Sequence, residues 1–161
     1  MRIDSPDART RILTTDDGTE LGRVHRTSWF GHKAELLTGG SIYQLETATF
    51  KSKLTLTYQS TPVLDITFPW RGGARLQDLV DPTRTFTVKQ ESVWRSNYLL
   101  NDGAENTIAS FRIGMDWSKF RQVVILAAPD ALAANCPPWV LLSAVHAVMV
   151  RRSRQSAAAA G

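Results

Sequence analysis

Three histidines, one cysteine and a few neighbouring acids are what this chain of 161 residues offers to metal, nucleophilic or acid–base chemistry. None of them is spaced for it. His25, His32 and His146 form no H-x-x-x-H or H-E-x-x-H pair, the spacing that sets two imidazoles on one helix face around a metal. Cys136 stands before two prolines with no basic neighbour to draw off its proton, so it reads as a structural thiol. A lone cysteine also excludes an intrachain disulfide and a multi-cysteine zinc site. His146 lies in an apolar stretch, where a core histidine bonded to a strand carbonyl is the simpler reading than a ligand. Asp16 and Asp17 fall in "TTDDGTE", a turn in which Asp bonds local backbone amides. No catalytic residue, metal site or cofactor follows, and the chain is expected not to be an enzyme.

Two basic clusters remain. "FKSKL" puts Lys51 and Lys53 on one face of a strand, two residues apart, which suits a phosphate. Arg71 and Arg75 flank the flexible pair Gly72-Gly73. The plainer alternatives are gatekeeper lysines on a solvated strand edge and an ordinary charged turn. The net charge of +4 adds little, because Arg151, Arg152 and Arg154 account for three of the four. A nearly neutral body with a basic end argues against an extended nucleic-acid surface.

The elements that must carry these residues are mostly strands. From residue 11 to about 126, short β-branched and aromatic runs alternate with Gly, Asp, Asn and Pro clusters, the rhythm of an all-β protein. Strands are expected near 11–15, 20–28, 33–38, 41–48, 51–59, 62–68, 73–80, 84–90, 92–100, 106–114 and 120–127. In "LTLTYQSTPVLDITF", Leu54, Leu56 and Tyr58 share one face, as do Leu64, Ile66 and Phe68 of the returning strand. One face is buried and the other wet. Residues 1–10 mix both charges without an apolar run and read as a disordered lead-in. Residues 154–161 read as a flexible tail.

The decisive segment is "NCPPWVLLSAVHAVMVRRSR", residues 135–154. Two prolines open a helix of about 138–152, and between Trp139 and Val150 the polar residues are Ser143 and His146. A helix apolar all round needs apolar partners on every side, protein or lipid. A bilayer span takes about 20 apolar residues, and this run stops short of that at Arg151. An interfacial helix would want a charged face. The helix is therefore expected inside the barrel, with Trp139, Leu141, Leu142, Val145, His146, Val148 and Met149 as its structural core and the arginines emerging at the far end. The fold class is mainly β (α+β): a closed antiparallel barrel of about 11–12 strands around a hydrophobic C-terminal helix, one domain over 11–153. Trp139 is expected to plug one mouth. "TSWFGH", "FPWRGG" and "MDWSKF" look like rims, their tryptophans serving packing more simply than an interface.

A meander of about a dozen short strands followed by one wholly apolar C-terminal helix resembles the tubby C-terminal-like superfamily. The resemblance covers nearly the whole chain. "DDGTELGRV", "SIYQLETATFKSKLTLTY" and "PPWVLLSAVHAVMV" look most like its LURP-one-related and phospholipid-scramblase-like branches. It implies a barrel threaded by the helix and a lipid-related function, with tubby domains associated with phosphoinositide headgroups held by surface basic residues. Lys51, Lys53, Arg71 and Arg75 would then meet an anionic headgroup, although they do not align with the tubby motif residue by residue. Scramblase-like relatives carry an acidic, calcium-associated segment before the helix. Here that place holds Asp130 alone, so calcium regulation is not carried over. The implied partner is an anionic membrane lipid, in a cytoplasmic protein peripheral at the inner membrane face. The alternative is a soluble scaffold that binds an unknown protein.

Overall fold

The computed structural model describes residues 1–28, 33–47, 53–70, 72–91, 96–118, 121–127 and 136–159. Among the described residues twelve strands precede one helix: β1 (Arg2–Asp4), β2 (Thr10–Thr14), β3 (Glu20–Arg26), β4 (Ala34–Thr38), β5 (Ser41–Thr47), β6 (Lys53–Tyr58), β7 (Thr61–Thr67), β8 (Ala74–Asp78), β9 (Thr85–Gln90), β10 (Asn97–Asn101), β11 (Thr107–Asp116), β12 (Arg121–Ala127) and α1 (Pro138–Ala159). Each strand pairs antiparallel with the next in a single sheet whose spatial order is the chain order. The sheet curls until β1 and β12 lie side by side. No hydrogen-bonded ladder joins those two among the described residues, so the barrel is nearly closed.

The alternation in the sequence sets the wall. Leu54 faces Ile66 and Leu56 faces Leu64 across β6 and β7, and all four are fully buried. Thr55 and Asp65, between them in register, share the outer face and are joined by a hydrogen bond from Thr55 Oγ1 to Asp65 Oδ1 at 3.1 Å. Side chains on one strand face point the same way every second residue, so each strand gives one row to the lumen and one to the outside.

The lumen is filled by α1. Val140, Leu142, Ser143, Ala144, Val145 and Ala147 have no exposed surface, and Leu141, His146, Val148 and Val150 are buried with them. Trp139 and Met149 are half-buried against the same core. Close approach to the wall requires glycine at one point. A Cβ on Gly22 of β3 would stand 2.8 Å from the Leu37 carbonyl oxygen and 3.1 Å from Leu142 Cδ1. The helix runs about 33 Å at 1.5 Å per residue for its 22 residues, so it crosses the barrel and protrudes.

In an up-and-down meander, connections alternate between the two open ends. Those before β3, β5, β7, β9 and β11 therefore share one mouth, and those before β4, β6, β8, β10 and β12 share the other. The helix begins at the first, proximal mouth, where Trp139 stacks on Tyr43 with ring centroids 6.5 Å apart and Tyr43 meets Tyr58 at 5.0 Å. It leaves at the second, distal mouth, where Arg151 bonds the β7–β8 connection.

Two boundaries expected from the sequence are corrected. Residues 1–10 are not a disordered lead-in, because β1 pairs with β2 through Ile3 and Leu13. One buried side chain, Ile3 at 6 % exposure, suffices when the terminal ammonium also meets Asp16 at 2.7 Å. Residues 154–159 are not a loose tail. The helix continues to Ala159, since alanine is the strongest helix former and Arg154 stacks over Phe68 at 5.2 Å.

Val145→Asp is expected to leave no soluble folded protein, as an unpaired carboxylate in the lumen costs several kcal/mol. Leu142→Ala is expected to fold with about 2–5 kcal/mol less stability. Chemical denaturation measures the second, and a Val145→Asp chain with wild-type midpoint would overturn the enclosed helix.

Candidate functional site

Charge divides along the barrel axis. The described connections of the proximal mouth carry Asp16, Asp17, Asp81, Asp102 and Glu105, with Arg84 as their described cation. The acids are turn formers. Asp17 is bonded by the Thr15 hydroxyl, Asp81 by the Thr83 hydroxyl at 2.6 Å, and Asp102 by the Asn106 amide at 3.1 Å. These bonds hold all three carboxyls below the usual range, which keeps this mouth negative. A cleft of about 410 Å³ lies there, bordered by Arg84, Phe86, Asp102, Asn106 and Thr107. Its arginine is already engaged, 3.8 Å from Asp78 and 5.9 Å from the Phe86 ring centre.

The distal mouth is basic. Arg9, Arg26, Lys33, Lys53, Arg75, Arg151, Arg152 and Arg154 belong to its connections, the adjoining strand ends or the emerging helix, and outnumber the acids Asp4, Asp7, Glu35, Glu46, Glu91 and Asp116 of the same end. Some of that charge is offset locally, as in Lys33 with Glu46 at 3.0 Å and Lys53 with Asp65 at 2.5 Å.

Of the four residues expected to meet an anion, Lys51 and Arg71 lie outside the described residues. Lys53 and Arg75 share the outer wall in one register row, Lys53 opposite Thr67 and Thr67 opposite Arg75. Two strand spacings separate them by roughly 10 Å. They are not equivalent. Lys53 is ion-paired with Asp65, whereas Arg75 is exposed and has no hydrogen bond or ion pair among the described residues. The wall thus offers one open guanidinium beside a partly neutralised ammonium.

The sequence did not single out Arg151 as more than a polar stop, yet it ties the mouth together. Its Nη1 donates to the carbonyls of Pro69 at 2.8 Å and Gly73 at 2.9 Å, and its Nη2 to that of Trp70 at 3.4 Å. The loop it holds has little alternative shape. Gly73 has φ +74°, and a Cβ there would collide with the Val88 carbonyl oxygen. Phe68, Pro69 and Trp70 face Arg151, Arg154 and Ala158 across a cleft of about 270 Å³.

Two other groups with polar chemistry lie among the described residues. Thr10 Oγ1 donates to Asp7 Oδ2 at 2.8 Å and lies 2.9 Å from His25 Nδ1. The hydroxyl's proton is spent on the acid, so His25 is the donor to it and no base faces a nucleophile. Asp7 also accepts from the amides of Arg9 and Thr10, and the chain fastens the β1–β2 connection. Buried Arg11 completes it, with Nη1 donating to the carbonyls of Asp7 and Thr10. Cys136 is buried, and burial pushes its thiol up to about 12. Among the described residues no three His, Cys, Asp or Glu side chains are grouped to hold a metal ion. No helix among them is long and apolar enough to cross a membrane.

No protein-family model, curated protein or solved structure matches the chain.

Arg151→Met is expected to lower the unfolding midpoint and speed proteolytic cleavage in the 69–73 loop, because hydrogen bonds from charged donors contribute about 1.5–3 kcal/mol each when sheltered and less when exposed. Arg152→Met, which removes no such bond, is expected to change neither. The thiol gives a second check. An unfolded Cys ionises near its ordinary 9.0 while folded Cys136 stays protonated to about 12, so the unfolded state sheds its proton first and stability falls as pH rises between those values. A thiol-reactive probe at mildly alkaline pH should react on unfolding. Immediate full reaction of the native protein would contradict the burial.

Proposed function

We propose that the chain is a non-enzymatic β-barrel module that binds an anionic lipid headgroup at the basic wall and rim of its distal mouth. One observation carries the reading: Arg75 stands exposed on the outer wall with no hydrogen bond or ion pair among the described residues, on the rim where Arg151, Arg152 and Arg154 emerge, while Asp16, Asp17, Asp81, Asp102 and Glu105 lie at the opposite end. Such a separation orients the molecule in the field of a negative surface. The likeness to tubby-type barrels supports the same class of ligand. The cytoplasmic leaflet is the membrane face richest in anionic lipid, and a peripheral position there is part of the proposal.

Magnitude sets the mode of binding. Each basic residue near an anionic surface contributes about 1 kcal/mol, so three or four give about 3–4 kcal/mol, a millimolar affinity. Charge alone yields weak, salt-sensitive association. Lys53 contributes less than Arg75, since Asp65 must be displaced or shared.

Co-sedimentation with vesicles tests this. Binding is expected to phosphatidylcholine vesicles containing phosphatidylserine or phosphoinositide and not to phosphatidylcholine alone, and to fall as salt shortens the Debye length. Arg75→Glu is expected to weaken it several-fold and Lys53→Glu to add a smaller loss. Unchanged binding in Arg75→Glu Lys53→Glu would eliminate the wall site, and no binding to any anionic vesicle would favour a scaffold that recognises protein.

A further inference from the structure

Trp70 and Trp117 are exposed at 88 % and 72 % of their surface, and Met115 beside the second at 44 %. Packing was the simpler expectation for the rim tryptophans and an interface the alternative, and these two are not packed. Both belong to the distal mouth, Trp70 in the β7–β8 connection and Trp117 in the β11–β12 connection. Trp139, by contrast, is half-buried against Tyr43 at the proximal mouth. Trp29 and Trp94 fall outside the described residues.

A single exposed apolar residue needs no explanation. Two exposed indoles on the one basic rim do, because Trp beside Lys and Arg is the composition of a membrane–water interface. Neither is presented loosely. The Trp70 loop is pinned through its carbonyls by Arg151 from the core helix. The turn carrying Trp117 is tightened by Asp116, whose Oδ1 accepts from the Ser118 amide at 3.1 Å and hydroxyl at 2.6 Å. Ordering the loops in advance removes an entropy cost that binding would otherwise carry.

Position round the barrel gives the direction of docking. The two connections are four strands apart in a sheet of twelve, about a third of the circumference, and α1 leaves the same mouth against the first of them. From Arg151 onward the described helix carries three arginines and no acid. Two apolar anchors and a cationic helix end span the mouth, which no single side of the barrel could present together.

We propose that the protein docks end-on to an anionic bilayer, its distal mouth against the headgroups and Trp70 and Trp117 in the interfacial layer, with the barrel axis near the membrane normal. This rests on the headgroup reading above and supplies the second signal that charge alone lacks, since stable peripheral anchoring takes two. Arg151 is a positioning residue for Trp70.

Fluorescence of the full chain on phosphatidylcholine–phosphatidylserine vesicles, with and without lipids brominated near the headgroup end of the acyl chain, tests the orientation. Vesicle-bound wild type is expected to show a blue shift and quenching by the brominated lipid. Trp70→Phe Trp117→Phe should lose most of that quenching, and Trp70→Ala Trp117→Ala should partition about tenfold less. Because both side chains are exposed, circular dichroism and the unfolding midpoint should stay at wild-type values in both variants. Vesicle binding without quenching, or undiminished in the double alanine variant, would overturn end-on docking while leaving the headgroup site standing. Absence of binding to any anionic vesicle would remove both.

Discussion

A helix with no wet side is stable in water only when something encloses it, and every other feature of this protein accommodates that requirement. The stretch from Val140 to Val148 is buried around its whole circumference. A single sheet of twelve strands, wound in chain order, supplies the enclosure. The contact is close enough that β3 carries Gly22 where Leu142 passes. Because neither wall nor helix can bury its apolar face without the other, the two are expected to fold as one cooperative unit.

Enclosure also gives the molecule two unlike ends. Tight turns with side-chain-capping aspartates close the proximal mouth, and their hydrogen bonds keep those acids ionised. The helix leaves through the distal mouth and brings its arginines with it. Arg151 then turns a property of the core into a property of the surface, since the guanidinium that ends the buried run also sets the loop displaying Trp70. A surface built in this way inherits the rigidity of the barrel.

Much of the architecture was legible in the residues. Alternation of Leu54, Leu56, Leu64 and Ile66 with threonines located β6 and β7 to within two residues, and the apolar run after Pro138 had no solution in water other than enclosure. β1 was missed because a three-residue strand with one apolar side chain carries no periodicity. The helical tail was missed because alanine repeats read equally as low-complexity chain. For the candidate site, the wall lysine and arginine were visible as types, but the ion pair that occupies Lys53 and the exposure of Arg75 depend on which strands come to lie side by side.

By itself, then, the sequence determined the elements, the two-faced character of each strand and the burial of the C-terminal helix, because all three follow from local hydrophobic periodicity. Tertiary structure decided which cations are spent and which are open. It also decided that Arg151 reaches back over some eighty residues to the carbonyls of Pro69 and Gly73, and that Trp70 and Trp117 stay outside on one rim. Those outcomes turn on distances between residues far apart in the chain, which no local pattern encodes.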